Sequence, residues 1–342
     1  MKQYLDLLQN ILDNGVEKES GRENMPNTIG ISHAVIQMDL QNGFPLLTTK
    51  KMYWKGIVHE LLWFLRGQIN IKYLVDNNVN IWNGDAYRWF KKLNKDAYGS
   101  ESEMSIEQFL LEVKKGTTID NLDMKYTFGD LGKVYGYNWR NIPNFDQVLR
   151  VIEGLKNNPY SRYHIINSWD IRNLDECALM PCHLLYQFIV RPLSLGERIS
   201  LMTIDDTIIT TSDFNLNKYL DDIDIPKFYL DLNMYQRSVD TFLGASFNLA
   251  SMSLLLMIIA KISNMIAGIA TWIGGDTHIY IPHIPMVREQ IKRKPFPLSE
   301  MKINKKLNSL EDILKLNIDD FELIGYESHP SIKAELFTGL KK

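Results

Sequence analysis

The sequence predicts an α+β fold with much antiparallel sheet, formed by a single domain over residues 1–342. Three observations lead to this prediction. The chain has 342 residues of which 45% are hydrophobic, enough to bury a large core. Segments with helical periodicity are mixed with several segments of strand periodicity. No linker divides the chain, and we find no internal repeat or low-complexity tract.

The amino-terminal elements follow from hydrophobic periodicity. The chain begins with an amphipathic pattern that predicts a helix ending near Gly15. Residues 34–40 alternate between apolar and polar side chains, which predicts a half-buried strand. Residues 55–67 predict a second helix closed by Gly67. Glu60 lies in that helix among large apolar neighbours, an unusual position for a carboxylate.

Residues 84–126 differ in composition, because charged and small polar residues surround one short apolar run. We predict a peripheral surface insertion with some helix and without a core of its own. The elements predicted beyond it are a helix near 145–157, strands near 163–169, 184–190, 198–211 and 227–236, a buried helix over 247–265 and a strand over 268–273.

Composition excludes several classes of protein. The net charge of −3 leaves no basic excess for nucleic acid, so no DNA partner is expected. The most apolar stretch, 254–260, is shorter than the about 20 residues that span a bilayer, and no signal segment is evident. Cys177 and Cys182 fit neither a disulfide framework nor a zinc site, so we expect no metal and a cytoplasmic location.

Polar residues cluster at two predicted strand ends. Arg237, Ser238 and Asp240 end one strand, and an arginine beside a hydroxyl suits a phosphate. Asn248 follows at the start of a helix, where it is either a ligand or an N-cap. The segment 274–280 has a similar pattern, which a surface turn explains equally well. Taken alone, Cys182 is best interpreted as a packing thiol.

Together, these motifs resemble the thymidylate synthase family, in the family's order and across almost the whole chain outside 84–126. The matching stretches are QNGFPLLTTK (41–50), HELLWFLRG (59–67), NNVNIW (77–82), GDLGKVYGYNWR (129–140), ALMPCH with QF (178–188), YQRSVDTFLGASFNLAS (235–251), GGDTHIY (274–280) and FELIGYESHPSIKAEL (321–336).

The resemblance implies a reaction. Cys182 would add to C6 of the uracil ring of dUMP, because C5 attacks a one-carbon donor only after that addition. The donor would be 5,10-methylenetetrahydrofolate. Glu60 would manage proton transfer to O4, and Tyr135 would organise removal of the C5 proton. The phosphate-binding arginines would favour the Cys182 thiolate. Asp240 and Asn248 complete the catalytic set that the resemblance implies.

The resemblance also implies binding roles. Asn248 would bond O4 and N3 of the base, which suits uracil rather than cytosine. The family is a sheet-mediated homodimer, in which the arginine matching Arg162 serves the other subunit. The implied phosphate ligands are Arg22, Arg162, Arg237 and Ser238; those of the sugar 3′-hydroxyl are His278 and Tyr280; those of the folate are Trp82, Leu179 and Asp240.

Several positions depart from the family pattern. Tyr163 stands where a second arginine is usual, Asp170 replaces an amide, and Asp85 lies near the place of a second tryptophan. The chain also continues as ELFTGLKK where the family ends in a short apolar tail.

These changes leave two alternatives. The first is a dUMP 5-hydroxymethylase, in which water instead of hydride reacts with the exocyclic methylene on the base and tetrahydrofolate is released. The second is an inactive homologue that binds nucleotides or RNA. The first prediction remains thymidylate synthase.

Overall fold

A mixed sheet of seven strands forms the centre of the computed structural model, which describes residues 1–140, 145–202 and 215–339. The described strands are β1 (Val16–Lys18), β2 (Thr28–Ile31), β3 (Ala34–Asp39), β4 (Thr118–Asp120), β5 (Lys125–Thr127), β6 (Ile165–Asn167), β7 (His183–Pro192), β8 (Phe228–Asp240), β9 (Ile266–Tyr280), β10 (Glu300–Ile303) and β11 (Phe321–Ile324).

Helices pack around this sheet. Those in the described ranges are α1 (Lys2–Asn14), α2 (Trp54–Leu65), α3 (Lys72–Asp76), α4 (Asn83–Tyr98), α5 (Ile106–Lys115), α6 (Tyr135–Arg140), α7 (Gln147–Asn157), α8 (Leu195–Ser200), α9 (Leu216–Asp222), α10 (Ser246–Ile262), α11 (Ile284–Ile291) and α12 (Leu310–Leu314).

The order of the large sheet is β1-β2-β9-β8-β7-β6, and β3 also pairs with β9. Within the described residues, every pairing in it is antiparallel except that of β8 with β9. Two small antiparallel hairpins, β4 with β5 and β10 with β11, lie outside the sheet. The predicted α+β class with a largely antiparallel sheet is therefore confirmed.

The core lies between the sheet and α10, which contacts β8, β9 and α2. Leucine, isoleucine and methionine surround α10 on all sides, so the helix is stable only when it is buried. The segment Thr241–Ile262 is long and apolar enough to cross a membrane, but most of it is buried inside the protein. The prediction of a buried core helix is confirmed.

The remaining local predictions have mixed outcomes. The helices before Gly15, over 55–67 and near 145–157 are present, and β3 alternates buried and exposed residues as expected. Gly67 has φ +67°, the left-handed conformation that follows a helix end. The strand predicted over 198–211 is wrong for 198–200, which belong to α8; the rest from 203 lies outside the described residues. Ser194 and Glu197 form a capping box that starts α8.

The segment 84–126 contains α4, α5 and the β4–β5 hairpin. Phe90, Phe109 and Tyr126 are buried in it and pack with Phe128. The ring centroids of Phe90, Phe109 and Phe128 lie 5.0–5.8 Å from one another. These rings belong to the continuous hydrophobic core of the protein, so the segment is attached to that core through its aromatic side chains. The surface insertion stays a prediction.

Candidate active site

A cavity of about 420 Å³ opens at the edge of the sheet where β7 begins and β8 ends. The cavity is built by α2, α6, α10, the loop before β7 and the carboxy-terminal segment. Its lining includes the predicted phosphate ligand Ser238 and the catalytic and folate-facing residues of the sequence prediction, namely Glu60, Trp82, Tyr135, Leu179, Cys182, Asp240 and Asn248. The structure therefore brings together residues that are far apart in the chain.

Cys182 lies immediately before β7. Its backbone N–H donates to the Tyr135 hydroxyl at 2.7 Å, and its carbonyl accepts from the Arg237 N–H at 2.9 Å. The pairing of β7 with β8 shifts register between His183 and Leu185, and such an irregularity re-aims neighbouring side chains. Cys177 is buried as expected, and its thiol donates to the Leu174 carbonyl.

The thiol of Cys182 is subject to opposing effects. Burial raises its pKa, while Arg237, a hydrogen bond from Tyr135 and the charge of Arg22 lower it. Burial outweighs the other effects, so the pKa lies above its usual value. The two arginines thus act in the expected direction, and burial opposes them.

Glu60 is the acid–base group of the cavity. The indole N–H of Trp82 donates to its Oε1 at 2.8 Å, and burial raises the pKa of the carboxyl to about 7. An acid that titrates near neutrality can both release and accept a proton at physiological pH. The sequence marked Glu60 as an unusual carboxylate, and the resemblance implied proton transfer; burial provides the physical reason for that role.

Asn248 is oriented by a chain of side-chain hydrogen bonds. The Trp272 indole N–H donates to Gln236 Oε1 at 2.8 Å, and Gln236 Nε2 donates to Asn248 Oδ1 at 2.9 Å. Burial lowers the pKa of His183 to about 4, against a smaller opposing effect of Asn248, so the imidazole is neutral. Sequence reasoning did not assign Gln236 or His183, although both adjoin assigned residues in their motifs.

Asp240 ends β8, where its carboxylate is fixed. Oδ1 accepts the backbone N–H groups of Phe242 and Leu243 at 3.0 and 3.2 Å, while Oδ2 lies 3.8 Å from His283 Nδ1. The wall beside it is mostly apolar and is formed by Ile81, Trp82, Leu179, Leu243, Phe247 and Leu336. A flat ring with polar N–H groups would fit this combination.

Arg22 and Arg237 line an adjoining pocket of about 470 Å³. The guanidinium of Arg237 donates to the Pro181 and Met180 carbonyls at 2.8 and 2.9 Å. Burial raises the pKa of Tyr280 to about 12, while the positive charge of Arg22 acts to lower it. The rings of His278 and Tyr280 are neighbours with centroids 5.4 Å apart, as their positions on one strand face predict.

Arg162 is not brought to this site. It is exposed on the loop between α7 and β6 and lines neither pocket. Its neighbour Tyr163 is exposed as well. Asp170 is buried and pairs with Arg172 at 2.7 Å, and Asp85 pairs with Arg88 at 2.6 Å. Two of the departures from the family pattern thus introduce carboxylates that have cationic partners.

A thiol, a carboxyl that titrates near neutrality and an oriented amide in one cavity define an enzyme site suited to covalent catalysis on a small polar ring. The comparisons with known proteins identify the family. The sequence model described as thymidylate synthase matches residues 2–338.

Named relatives agree with this match. A thymidylate synthase of Mycoplasma mobile is 42% identical over 98% of this chain and 99% of its own length. Those of Mesoplasma florum and Malacoplasma penetrans are 40% and 39% identical with the same coverage. The chain therefore belongs to the thymidylate synthase family, a family of one-carbon transferases, and thymidylate synthesis is its function. The relatives do not support the hydroxymethylase or the inactive binding protein.

Glu60→Gln tests the buried acid. Because the folded pKa is about 7 and the usual value is 4.5, the folded state binds the extra proton, and stability falls as pH rises between these values. Glutamine mimics the protonated form. Relative to the unsubstituted protein, the variant should gain about 2 kcal/mol in free energy of unfolding at pH 8, allowing for partial exposure, and little at pH 4.5.

Urea unfolding at the two pH values measures this difference. The same variant should lose about a hundredfold or more in kcat, because it cannot transfer a proton. A stability difference that does not change with pH would contradict the raised pKa.

Proposed function

We propose that this chain forms thymidylate from dUMP by covalent catalysis with Cys182 as the nucleophile. One observation supports this assignment above others: Cys182, Glu60 and Asn248 line the same cavity. The Cys182 thiol gives up its proton to solvent as its sulfur bonds to C6 of uracil, and the C5=C6 electron pair moves to give an enolate with charge on O4. After the one-carbon unit has been attached to C5 and reduced, and C5 has lost its proton, the C5=C6 bond forms again. The sulfur then leaves with the bonding electrons and takes up a proton, which restores the thiol.

The proton transfers are assigned to groups that the fold holds in place. Glu60 releases a proton toward O4 and takes it back, since its pKa of about 7 permits both directions at neutral pH. Tyr135 contacts the Cys182 backbone, and its own pKa is raised well above its usual value by burial. A neutral phenol there can hold a water or orient a base beside C5.

The nucleotide is held at both ends. We assign its phosphate to Arg22, Arg237 and Ser238, since two guanidinium groups and a hydroxyl meet at the cavity edge. His278 and Tyr280 bond the sugar 3′-hydroxyl. A bound phosphate would reorganise the Arg237 hydrogen bonds to the Cys182 loop, which couples substrate binding to the position of the thiol.

The residues present fit a reduced folate. Trp82 and Leu179 offer an apolar wall, and Asp240 offers a fixed carboxylate that accepts N–H groups of a pterin ring. 5,10-Methylenetetrahydrofolate supplies the one-carbon unit and the hydride when it is bound. The chain's own contribution is to bind the ring, orient it toward the base and exclude water.

A cytoplasmic homodimer is proposed as the assembly. Val35, Ile273 and Tyr235 are neighbours across β3, β9 and β8, so they share the sheet face opposite α10. Val35 and Tyr235 are 60% and 40% exposed, which leaves apolar surface that a second copy would cover. Arg162 is exposed and free to reach the partner's phosphate site. The two free cysteines accord with a reducing compartment.

Cys182→Ser should abolish turnover and leave dUMP affinity within about threefold of the original value, because phosphate and sugar contacts lie elsewhere. Calorimetry measures the binding. With 5-fluoro-dUMP and methylenetetrahydrofolate, the unsubstituted protein should form a stable adduct on Cys182, since fluorine does not leave C5 as a proton does. Mass spectrometry that finds no adduct would argue for a binding protein without this chemistry.

Asn248→Asp should shift preference from dUMP toward dCMP by about tenfold or more in the ratio of kcat/KM values. The change replaces an amide donor with an acceptor that faces the cytosine amino group, and Gln236 still donates to the remaining oxygen. Gln236→Glu is the matched comparison, because it makes the same amide-to-carboxylate change at a residue that contacts Asn248 and has no assigned contact with the base. An unchanged ratio for the Asn248→Asp variant would place the base elsewhere.

Arg162→Ala tests the shared site. The variant should lose activity by about tenfold or more as the phosphate loses a charged ligand, and mixing it with Cys182→Ser should restore part of the activity. A mixed dimer then contains one site with both Cys182 and the partner's arginine. If native mass spectrometry detects mixed dimers and activity is not restored, each subunit has a complete site of its own.

A further inference from the structure

The carboxy-terminal segment 334–339 crosses the mouth of the cavity. Ala334 and Leu336 line the cavity, and the Glu335 carbonyl accepts a hydrogen bond from His283 Nε2 at 2.9 Å. Phe337 packs between Tyr280 and His283, with ring centroids 5.0 Å from each. Residues 334–337 therefore cover the site mainly through apolar contacts. Residues 338–339 are held by other groups.

Arg88 on α4 holds those last residues. Its Nη1 donates to the Thr338 carbonyl, and its Nη2 donates to the Ala178 carbonyl at 3.2 Å. Ala178 immediately precedes Leu179, which lines the cavity, in the loop that leads to Cys182. One planar guanidinium thus joins the carboxy-terminal segment to the loop of the nucleophile. A lysine has one nitrogen and does not reproduce this arrangement.

Asp85 fixes the position of Arg88. Its carboxylate is buried, lies 2.6 Å from Arg88 Nη2 and 4.0 Å from Arg22 Nη2. A buried carboxylate requires a cationic partner, so Asp85 keeps Arg88 turned toward the cavity side of α4. It also separates Arg88 from Arg22, which would otherwise repel each other.

Gly84 provides a second, independent indication that the segment is seated on α4. A Cβ at this position would lie 2.9 Å from both Oγ1 and Cγ2 of Thr338. Gly84 and Arg88 are four residues apart and share a face of the helix. Gly84 leaves room for the Thr338 side chain, and Arg88 binds the Thr338 carbonyl from the same face of α4.

We propose that Arg88 is a positioning residue that clamps the carboxy-terminal segment over the cavity and so keeps water from the reacting base. This inference rests on the proposed function. If the clamp opens, water adds through its oxygen to the exocyclic methylene carbon, its proton is released, and the C6–sulfur bond then breaks. The product is 5-hydroxymethyl-dUMP, formed without oxidation of the folate.

Limited proteolysis tests the clamp without any folate. In the dUMP complex, Arg88→Met and Arg88→Lys should accelerate chymotryptic cleavage after Phe337 by about tenfold, the effect of losing one charge-assisted hydrogen bond. Lys95→Met, which removes an exposed cation from the same helix, is the matched control and should not change the cleavage rate. Unchanged cleavage in both Arg88 variants would overturn the proposal.

Product analysis tests the consequence. Arg88→Met should raise KM for methylenetetrahydrofolate by about tenfold, leave dUMP affinity unchanged and yield 5-hydroxymethyl-dUMP besides thymidylate. Gly84→Ala, which displaces Thr338 and retains Arg88, should give the same products. Thymidylate alone from both variants would overturn the proposal. Lack of the Cys182 adduct in the unsubstituted protein would instead refute the proposed function on which it rests.

Discussion

The parallel pairing of β8 with β9 is the constraint on which the site depends. Two parallel strands cannot be joined by a tight turn, so the chain crosses back through α10. The carboxyl ends of both strands then lie at one edge, where Asp240 is paired with His278. Strand β7 is antiparallel to β8, so its start, with Cys182, lies at the same edge. The helix that completes the crossover begins there too and provides Asn248.

Burial favours the neutral form of three ionisable groups at this edge, namely Cys182, Glu60 and His183. It raises the pKa values of Cys182 and Glu60 and lowers that of His183, in each case because the charged form loses hydration. The cavity therefore contains a neutral thiol, a neutral imidazole and a carboxyl poised near neutrality. A bound nucleotide adds the negative charge of its phosphate, and the reaction adds the negative charge of the enolate. Substrate binding and proton transfer are therefore linked.

The two carboxylates that depart from the family pattern each have a cationic partner. Asp85 and Asp170 are both buried carboxylates, and each forms an ion pair with an arginine three or two residues away. Asp170 also caps the short turn that follows it by accepting the Arg172 N–H. Tyr163 is exposed on the loop that carries Arg162. Of these three positions, Asp85 lines the cavity, whereas Tyr163 and Asp170 do not.

Periodic patterns in the sequence determined the helices α1, α2, α7 and α10 and the strand β3, because each has an apolar face that must be buried. The motifs determined which residues to expect in the site, including Cys182 and Asn248. Strand periodicity failed for α8, which begins at a capping box, and composition did not show that Phe90, Phe109 and Tyr126 are buried in the core.

Only the tertiary structure decided the environment of these residues. Gln236 orients Asn248 because Trp272, 36 positions further along the chain, bonds it from the next strand. Arg88 meets Thr338 across 250 positions, and no periodicity relates residues so far apart. The pKa of Glu60 likewise depends on burial by side chains from several elements. Such effects arise when distant segments exclude water together, and they do not exist in the sequence until the chain has folded.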